Sequence, residues 1–237
     1  MIYSRSLCFY LIYIVSAFLV GFLGCLICPF LSIGNRIKFL STWPRFSNWV
    51  LYRICKIEVV VEGEENIPKA PFVIVSNHQG QWETFFYQYF FFPMTTLLKK
   101  ELLFIPVWGW ALALLKPIAI DRGNPVFALR KALREGEQRI VKGFSVLNFP
   151  EGTRKDPGEI GGYARSGFEL AKKMHVPVLP LVHNSGDCWP AHKFLKYPGA
   201  IKLIIGSPLE GIESSAEAAK STEEWAKNCL EVIRVGN

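Results

Sequence analysis

Four short stretches carry the residue types that do chemistry. Asn77-His-Gln-Gly-Gln-Trp-Glu83 sets an imidazole five positions before a carboxylate. Lys99-Lys100 is a pair of cations, Asp121-Arg122 joins an acid to a cation, and Pro150-Glu-Gly-Thr-Arg154 is a glycine turn ending on a guanidinium. On one continuous helix His78 and Glu83 would stand about 140° apart around the axis. If His78 lies in a loop that Gly80 helps to turn, Glu83 falls in the first turn of the next helix and reaches back to the ring. A carboxylate on one ring nitrogen fixes the tautomer and makes the other nitrogen more basic. Such a dyad suits removing a proton from a hydroxyl as it attacks an acyl carbon. A positioned base is typically worth roughly 10²–10⁴-fold in rate. Singly, each residue has an ordinary structural reading. A lone histidine is more often structural, Arg122 and Arg154 suit surface ion pairs with Asp121 and Glu151, and Gly152-Thr153 suits a plain turn and helix start. It is the joint arrangement that points to a site combining a base with anion recognition.

The elements needed to gather these stretches are readable. Short apolar runs occur at Ile57–Val61, Phe72–Ser76, Thr95–Lys99, Pro117–Ile120, Ser145–Phe149, Val178–Val182 and Ile201–Ile205. Most lack polar alternation, as expected of strands buried on both faces. Helical stretches are predicted between them over 82–92, 102–115, 125–142, 165–175 and 216–235. Pro125 suits a helix start and Gly143 an end, while Pro106 and Gly109 weaken the second helix. The alternation predicts an α/β domain with a largely parallel sheet of about seven strands flanked by helices. In such sheets ligands bind beyond the carboxyl ends of the strands. His78, Lys99, Asp121-Arg122 and Glu151–Arg154 all follow strands, so four successive strands bring them to one rim.

The segment 82–92 holds eight aromatics in eleven residues. It suits either the wall of an apolar channel beside His78 or a buried core helix. His183-Asn-Ser-Gly-Asp187 follows a further strand and is also within reach of the rim. His175, His183 and His192 have spacings that match no metal signature.

Ahead of the domain, residues 6–35 carry no charge at all. A helix over 6–28 would be about 35 Å long, against a bilayer core of about 30 Å. Pro29 suits its end. The apolar run continues past any cleavage site a signal peptide would use, so a retained anchor is expected. Cys25 and Cys28 read as part of that run. Between Arg36 and Lys56 five basic residues meet no acid, interleaved with Phe39, Trp43, Phe46, Trp49 and Val50. Positions 39, 43, 46 and 50 share a helical face, and Trp43-Pro44 suits a split of the segment. This segment suits either the headgroup region of an anionic leaflet or a face packed on the domain. The basic excess after the span predicts that the domain lies on the cytoplasmic side. The expected division is residues 1–56 as anchor and amphipathic segment, and 57–237 as the α/β domain.

Composition excludes several classes. With 237 residues and half of them apolar, the chain is not disordered, and a second full domain is not expected. Six scattered cysteines make no disulfide scaffold. The net charge of +7 does not mark a nucleic-acid binder: residues 143–237 hold 11 basic and 11 acidic groups, and the excess sits before Glu58. There is neither a G-x-S-x-G elbow for a serine hydrolase nor a P-loop. The mean hydropathy of +0.21 is largely the contribution of the anchor.

These residues together resemble the membrane-bound glycerolipid acyltransferases, in particular the lysophosphatidate acyltransferase type. Asn77–Glu83 sits where that family has a His-x4-Asp motif. Lys99-Lys-Glu-Leu102, Ile118–Arg122 and Val176–Val182 resemble further blocks, and Phe149-Pro-Glu-Gly-Thr-Arg154 matches the glycerol-phosphate block in full. The resemblance covers about residues 60–210. It implies that His78 is the general base and Glu83 the acid of the dyad. It implies that Arg154, with Lys99 and Arg122, holds an acceptor phosphate, while Glu151, Gly152 and Thr153 shape the glycerol site. The implied reaction is direct acyl transfer to the sn-2 hydroxyl of 1-acylglycerol-3-phosphate, giving phosphatidic acid. The donor is a thioester, acyl-CoA or acyl carrier protein, with neither metal nor other cofactor. The expected partners are thus a phospholipid surface, the lysophosphatidate and the donor, with no nucleic acid. The expected location is the inner (plasma) membrane, single-pass or monotopic, and the implied fold puts a two-helix membrane motif before the α/β domain. Glu83 and Gly80 depart from the family's usual aspartate and common serine. That leaves room for another lysolipid acceptor, such as a lyso-aminolipid, or for a lipid-binding protein without catalysis.

Overall fold

The computed structural model describes residues 1–121, 123 and 125–235. Arg122, expected at the anion site, lies outside the described residues. All seven expected strands form: β1 (Ile57–Glu62), β2 (Val73–Ser76), β3 (Met94–Lys99), β4 (Ile118–Ile120), β5 (Ser145–Asn148), β6 (Val178–His183) and β7 (Gly199–Ile205). They make one sheet in the order β1-β7-β6-β2-β5-β3-β4. Every pairing is parallel except β6 with β7, which is antiparallel.

The absence of alternation in the strand sequences has the expected cause. Successive residues enter opposite cores. Val73 and Val75 of β2 join Val146, Val178, Val182 and Phe168 on one face, while Ile74 joins Leu147, Leu179, Leu181 and Trp82 on the other. The first face is covered by α6 (Pro125–Val141), α7 (Ser166–Met174) and α9 (Ser215–Val235). The second is covered by α4 (Trp82–Phe90) and by residues of the N-terminal helices.

The amino-terminal region is α1 (Ile2–Ile27), α2 (Ile33–Leu40), α3 (Thr42–Val50) and a π-helical turn over Leu51–Cys55. The helix α1 and the turn after it are long and apolar enough to cross a membrane. Yet α1 does not stand away from the domain. The Lys196 amide donates to Ser6 Oγ at 2.9 Å, Phe9 meets Trp189 edge-on at 5.3 Å, and Trp43 Nε1 donates to Ser16 Oγ at 3.2 Å. Gly21 and Gly24 pass so close to Val107 and Leu40 that an added Cβ would lie 3.3 and 2.7 Å from their side chains. One side of α1 is therefore occupied along its length, while Leu11, Ile14, Val15, Phe18, Leu19 and Leu23 on the other are exposed.

Two sequence expectations are corrected here. The segment 102–115 is not one helix. A 3₁₀ turn over Lys100–Phe104 precedes α5 (Trp108–Leu114), because Pro106 supplies no amide donor to carry the helix through. The amphipathic segment breaks at Ser41, before Trp43-Pro44, and Pro44 falls in the first turn of α3, where a missing N–H costs nothing. Trp43, Pro44, Ser47 and Val50 face inward, while Phe46 and Trp49 stack on each other outside, at 5.9 Å.

Candidate active site

The strand order puts β2 beside β5, and both end at the same rim. His78 lies two residues past β2. Its amide donates to Glu151 Oε2 at 2.8 Å, and its carbonyl accepts from the Lys155 amide at 2.8 Å. Its ring stacks on Phe149, with centroids 4.0 Å apart and planes 14° from parallel. The backbone and one ring face of His78 are thus fixed by the loop after β5, and its side chain is 12% exposed.

Glu83 is the second residue of α4 and completely buried. It reaches back as expected: Oε1 lies 2.8 Å from His78 Nδ1 and also accepts from the Gln79 and Gly80 amides at 2.9 and 2.8 Å. Oε2 accepts from Ser185 Oγ at 2.9 Å. Burial works against the charge on Glu83, but the neighbouring His183 and His78 rings and the Gly80 amide outweigh it. The carboxyl is held well below the usual carboxylate range. An ionised Glu83 on Nδ1 assigns the proton to that nitrogen and leaves Nε2 as the acceptor. A proton acceptor at the edge of a cavity is what general-base chemistry needs.

That cavity has a volume of about 750 Å³. Its polar part is lined by His78, Lys99, Gly152, Thr153, Arg154 and Lys155, with Asn148 and His192. Its apolar part runs between Ala17, Val20 and Gly21 of α1, Leu40 and Trp43, and Ala111, Leu112 and Leu115 at α5. The volume fits a ligand with a polar head and a long apolar tail better than a small hydrophile. Arg154 and Lys99 make no ion pair among the described residues, which leaves their charges available to an anion. The sequence rightly placed Lys99, Gly152, Thr153 and Arg154 beside His78 on one rim.

Of the two ion pairs suggested by neighbouring positions, that of Glu151 with Arg154 does not occur, and Arg122, the partner suggested for Asp121, lies outside the described residues. Asp121 pairs with Lys100, and its carboxyl is lowered by that bond. Glu151 bonds not with Arg154 but with the amides of His78 and Gly161, the latter at 2.8 Å on Oε1. Both of its oxygens are engaged behind the cavity wall, so it ties the β5 loop to the His78 loop. Burial raises its carboxyl above the ordinary value, against the pull of those two amides. The aromatic helix α4 is mostly core, filled by Trp82, Phe86 and Tyr87, and its cavity side is Phe85 with Gln81, Thr84 and Gln88.

Sequence reasoning missed two contributions. Ser185, in the one-turn helix α8 (Ser185–Cys188), bonds to Glu83, and only its place after a strand hinted at the rim. Residues of α1 line the cavity, and the signal available was Gly21 and Gly24, small residues that let helices approach closely. Among the described residues no group of three or more His, Cys, Asp or Glu is placed to share a metal ion.

Comparison with known proteins finds relatives over nearly the whole chain. A family model described as Acyltransferase matches residues 58–184. The 1-acyl-sn-glycerol-3-phosphate acyltransferase of Pseudomonas aeruginosa is 44% identical over 234 residues, 97% of this chain and 91% of that one. The yeast enzyme of the same name, from Saccharomyces cerevisiae, is 28% identical over 178 residues, 73% of this chain and 58% of its own. The crystal structure of the 1-acyl-sn-glycerophosphate acyltransferase of Thermotoga maritima superposes with a TM-score of 0.80 at 27% identity, covering 97% of this chain and 95% of that chain.

Proposed function

This chain belongs to the acyltransferase family, and from that membership we propose that it moves a fatty acyl group from a thioester donor to the sn-2 hydroxyl of 1-acylglycerol-3-phosphate. The observation that carries the mechanism is the His78–Glu83 pair at the mouth of a cavity with cations at one end and apolar walls at the other. Arg154 and Lys99 receive the acceptor phosphate; a planar guanidinium offers two parallel donors to it. Thr153 and the Gly152 backbone lie beside the glycerol, and Glu151 acts behind them by fixing the loop. The sn-2 hydroxyl gives its proton to His78 Nε2 as its oxygen attacks the thioester carbon. The tetrahedral intermediate collapses by breaking the carbon–sulfur bond, and the imidazolium returns the proton to the leaving thiolate. Glu83 stabilises the transient imidazolium through Nδ1. The products are phosphatidic acid and free thiol.

We infer the membrane arrangement from α1. Its inner side is held by Ser6, Phe9 and Ser16 contacts and its outer side is apolar. It lies along the domain with that outer side in one leaflet of the inner membrane, the domain being cytoplasmic. Phe46 and Trp49 extend the apolar side, and Arg53 over Trp49 at 5.9 Å sets a cation at headgroup level.

The test is thiol release by purified protein in detergent, given acyl thioester with and without lysophosphatidate. Release that depends on the acceptor is expected. Acceptor binding with no release from any thioester would favour a lipid-binding protein instead.

A further inference from the structure

A buried network behind the dyad is not explained by the reaction itself. It begins at Asn77, whose side chain exchanges two hydrogen bonds with the backbone of His183, Nδ2 to O at 2.9 Å and N to Oδ1 at 3.0 Å. The His183 ring accepts at Nδ1 from the Ser185 amide at 3.1 Å, so its other nitrogen carries the proton and donates to the Asn77 carbonyl at 3.0 Å. Burial keeps this imidazole below its ordinary value, with Glu83 pulling the other way. The chain ends at Ser185 Oγ on Glu83 Oε2, 2.9 Å away, with every member buried.

The Ser185 hydroxyl is not needed to hold its own loop. The Gly186 amide on Gln79 Oε1 and the Trp189 amide on the Ser185 carbonyl, at 3.1 and 2.7 Å, do that through the backbone. The carboxylate does need the hydroxyl. The last torsion of a glutamate is soft and roughly two-fold. Three donors hold Oε1 as a pivot, and a second point is needed to stop the plane swinging about it. Position 80, next to the dyad, has no room to supply that point. A Cβ on Gly80 would lie 2.6 Å from the Trp189 carbonyl oxygen, although only 3.6 Å from Glu83 Oε2. The hydroxyl comes instead from Ser185, whose Oγ is 3.7 Å from that same Cβ position.

We propose that Ser185 is a positioning residue for the His78–Glu83 pair, matched to a glutamate at 83 and a glycine at 80. Its hydroxyl fixes the carboxylate plane so that the imidazole keeps its tautomer and aims Nε2 into the cavity. This rests on the reading of His78 as the base.

The experiment uses the full chain in detergent, with thiol release at saturating thioester, thermal unfolding, and the variants Ser185→Ala, Glu83→Asp and both together. Ser185→Ala is expected to lower kcat about 10- to 100-fold, the range for a hydrogen bond to a buried charge, with the acceptor KM unchanged. The double variant is expected to lose less than the product of the single losses, because the two residues hold one geometry. Wild-type kcat in Ser185→Ala, or losses that multiply, would overturn the proposal. If Ser185→Ala does not fold, Ser185→Cys keeps the volume with a weaker donor, and wild-type kcat there overturns it equally. An inactive wild-type protein would defeat the functional reading alone. The His78 Nδ1–H resonance of ¹⁵N-labelled protein then still decides. It broadens in the Ser185 variant if the hydroxyl holds the pair, and is unchanged if it does not.

Discussion

The two ends of the cavity are built from opposite kinds of interaction. At the polar end, the Glu83 carboxylate takes four donors, and the His78 backbone is bonded on both sides. At the apolar end, α1 crosses α5 and α2 mainly through small residues, Gly21, Gly24 and Ala111, with only scattered directional bonds, from Cys25 Sγ to the Val107 carbonyl, from Arg36 to the Leu114 carbonyl and from Trp43 Nε1 to Ser16 Oγ. A directional network fails when one atom is removed, because a buried partner is left unsatisfied. A packed wall yields by degrees, because side chains shift into or out of the space. The difference teaches where chemistry and where selectivity reside. The proposed function assigns bond making to the polar end and the choice of chain to the apolar end.

The largest effect should come from the base. His78→Ala is expected to reduce acceptor-dependent thiol release by roughly 10³-fold or more, with the unfolding temperature little changed, since the ring is at the cavity edge. Wild-type turnover in this variant would break the comparison at its polar end. Next is the anion site. Arg154→Ala is expected to raise the KM for lysophosphatidate about 10- to 100-fold, more than it lowers kcat, and Arg154→Lys to recover part of the loss. Equal kcat/KM for acceptors with and without a phosphate would remove the role given to Arg154.

The apolar end should respond differently. Ala17→Leu narrows the cavity from the α1 side. A several-fold shift of kcat/KM toward shorter acyl chains is expected, with turnover of a short donor unchanged. A uniform loss over all chain lengths would mean that α1 supports the site without gauging the chain.

A further expected effect is on stability rather than turnover and concerns how α1 is held. Lys196 is buried with its ammonium 4.5 Å from the Tyr10 ring of α1 and 5.0 Å from that of Trp189. Burial brings it down from 10.5 to about 8. Between pH 8 and 10.5 the unfolded chain therefore holds a proton that the folded one has released, so folding gains stability as pH rises through that window. The stability of the wild type relative to Lys196→Met should rise across it by about 2–3 kcal/mol, measured by chemical unfolding in detergent. A flat difference would place the ammonium in contact with water.

Much of the polar end was legible beforehand. The strands announce themselves by unbroken apolar runs, and a parallel sheet sends the residues after them to one rim, so His78, Lys99 and Arg154 were found together. The reach of Glu83 followed from Gly80 and helix geometry. Ser185 was not legible, because the antiparallel turn from β6 to β7 that brings its loop onto Gly80 leaves no local mark. The ion pair suggested for Glu151 with Arg154 failed because Glu151 satisfies two backbone amides instead. Of the face expected over 39, 43, 46 and 50, Trp43 and Val50 do point inward, and Ser47 rather than its neighbour Phe46 completes the buried side of α3. The docking of α1 was hidden for another reason: apolar residues that face lipid and apolar residues that face protein look alike in a sequence.

The central claim is that one cavity joins a base, an anion site and an acyl channel for a phosphorylated lysolipid. Mass spectrometry of the products from a panel of acceptors, lysophosphatidate, a lyso-aminolipid and monoacylglycerol, with acyl-CoA and acyl carrier protein as donors, tests it most directly. The account predicts phosphatidic acid acylated at sn-2, in amounts equal to the thiol released, with little product from the acceptors that lack the phosphate. Preferential acylation of the aminolipid, or thiol released as free fatty acid, would contradict it.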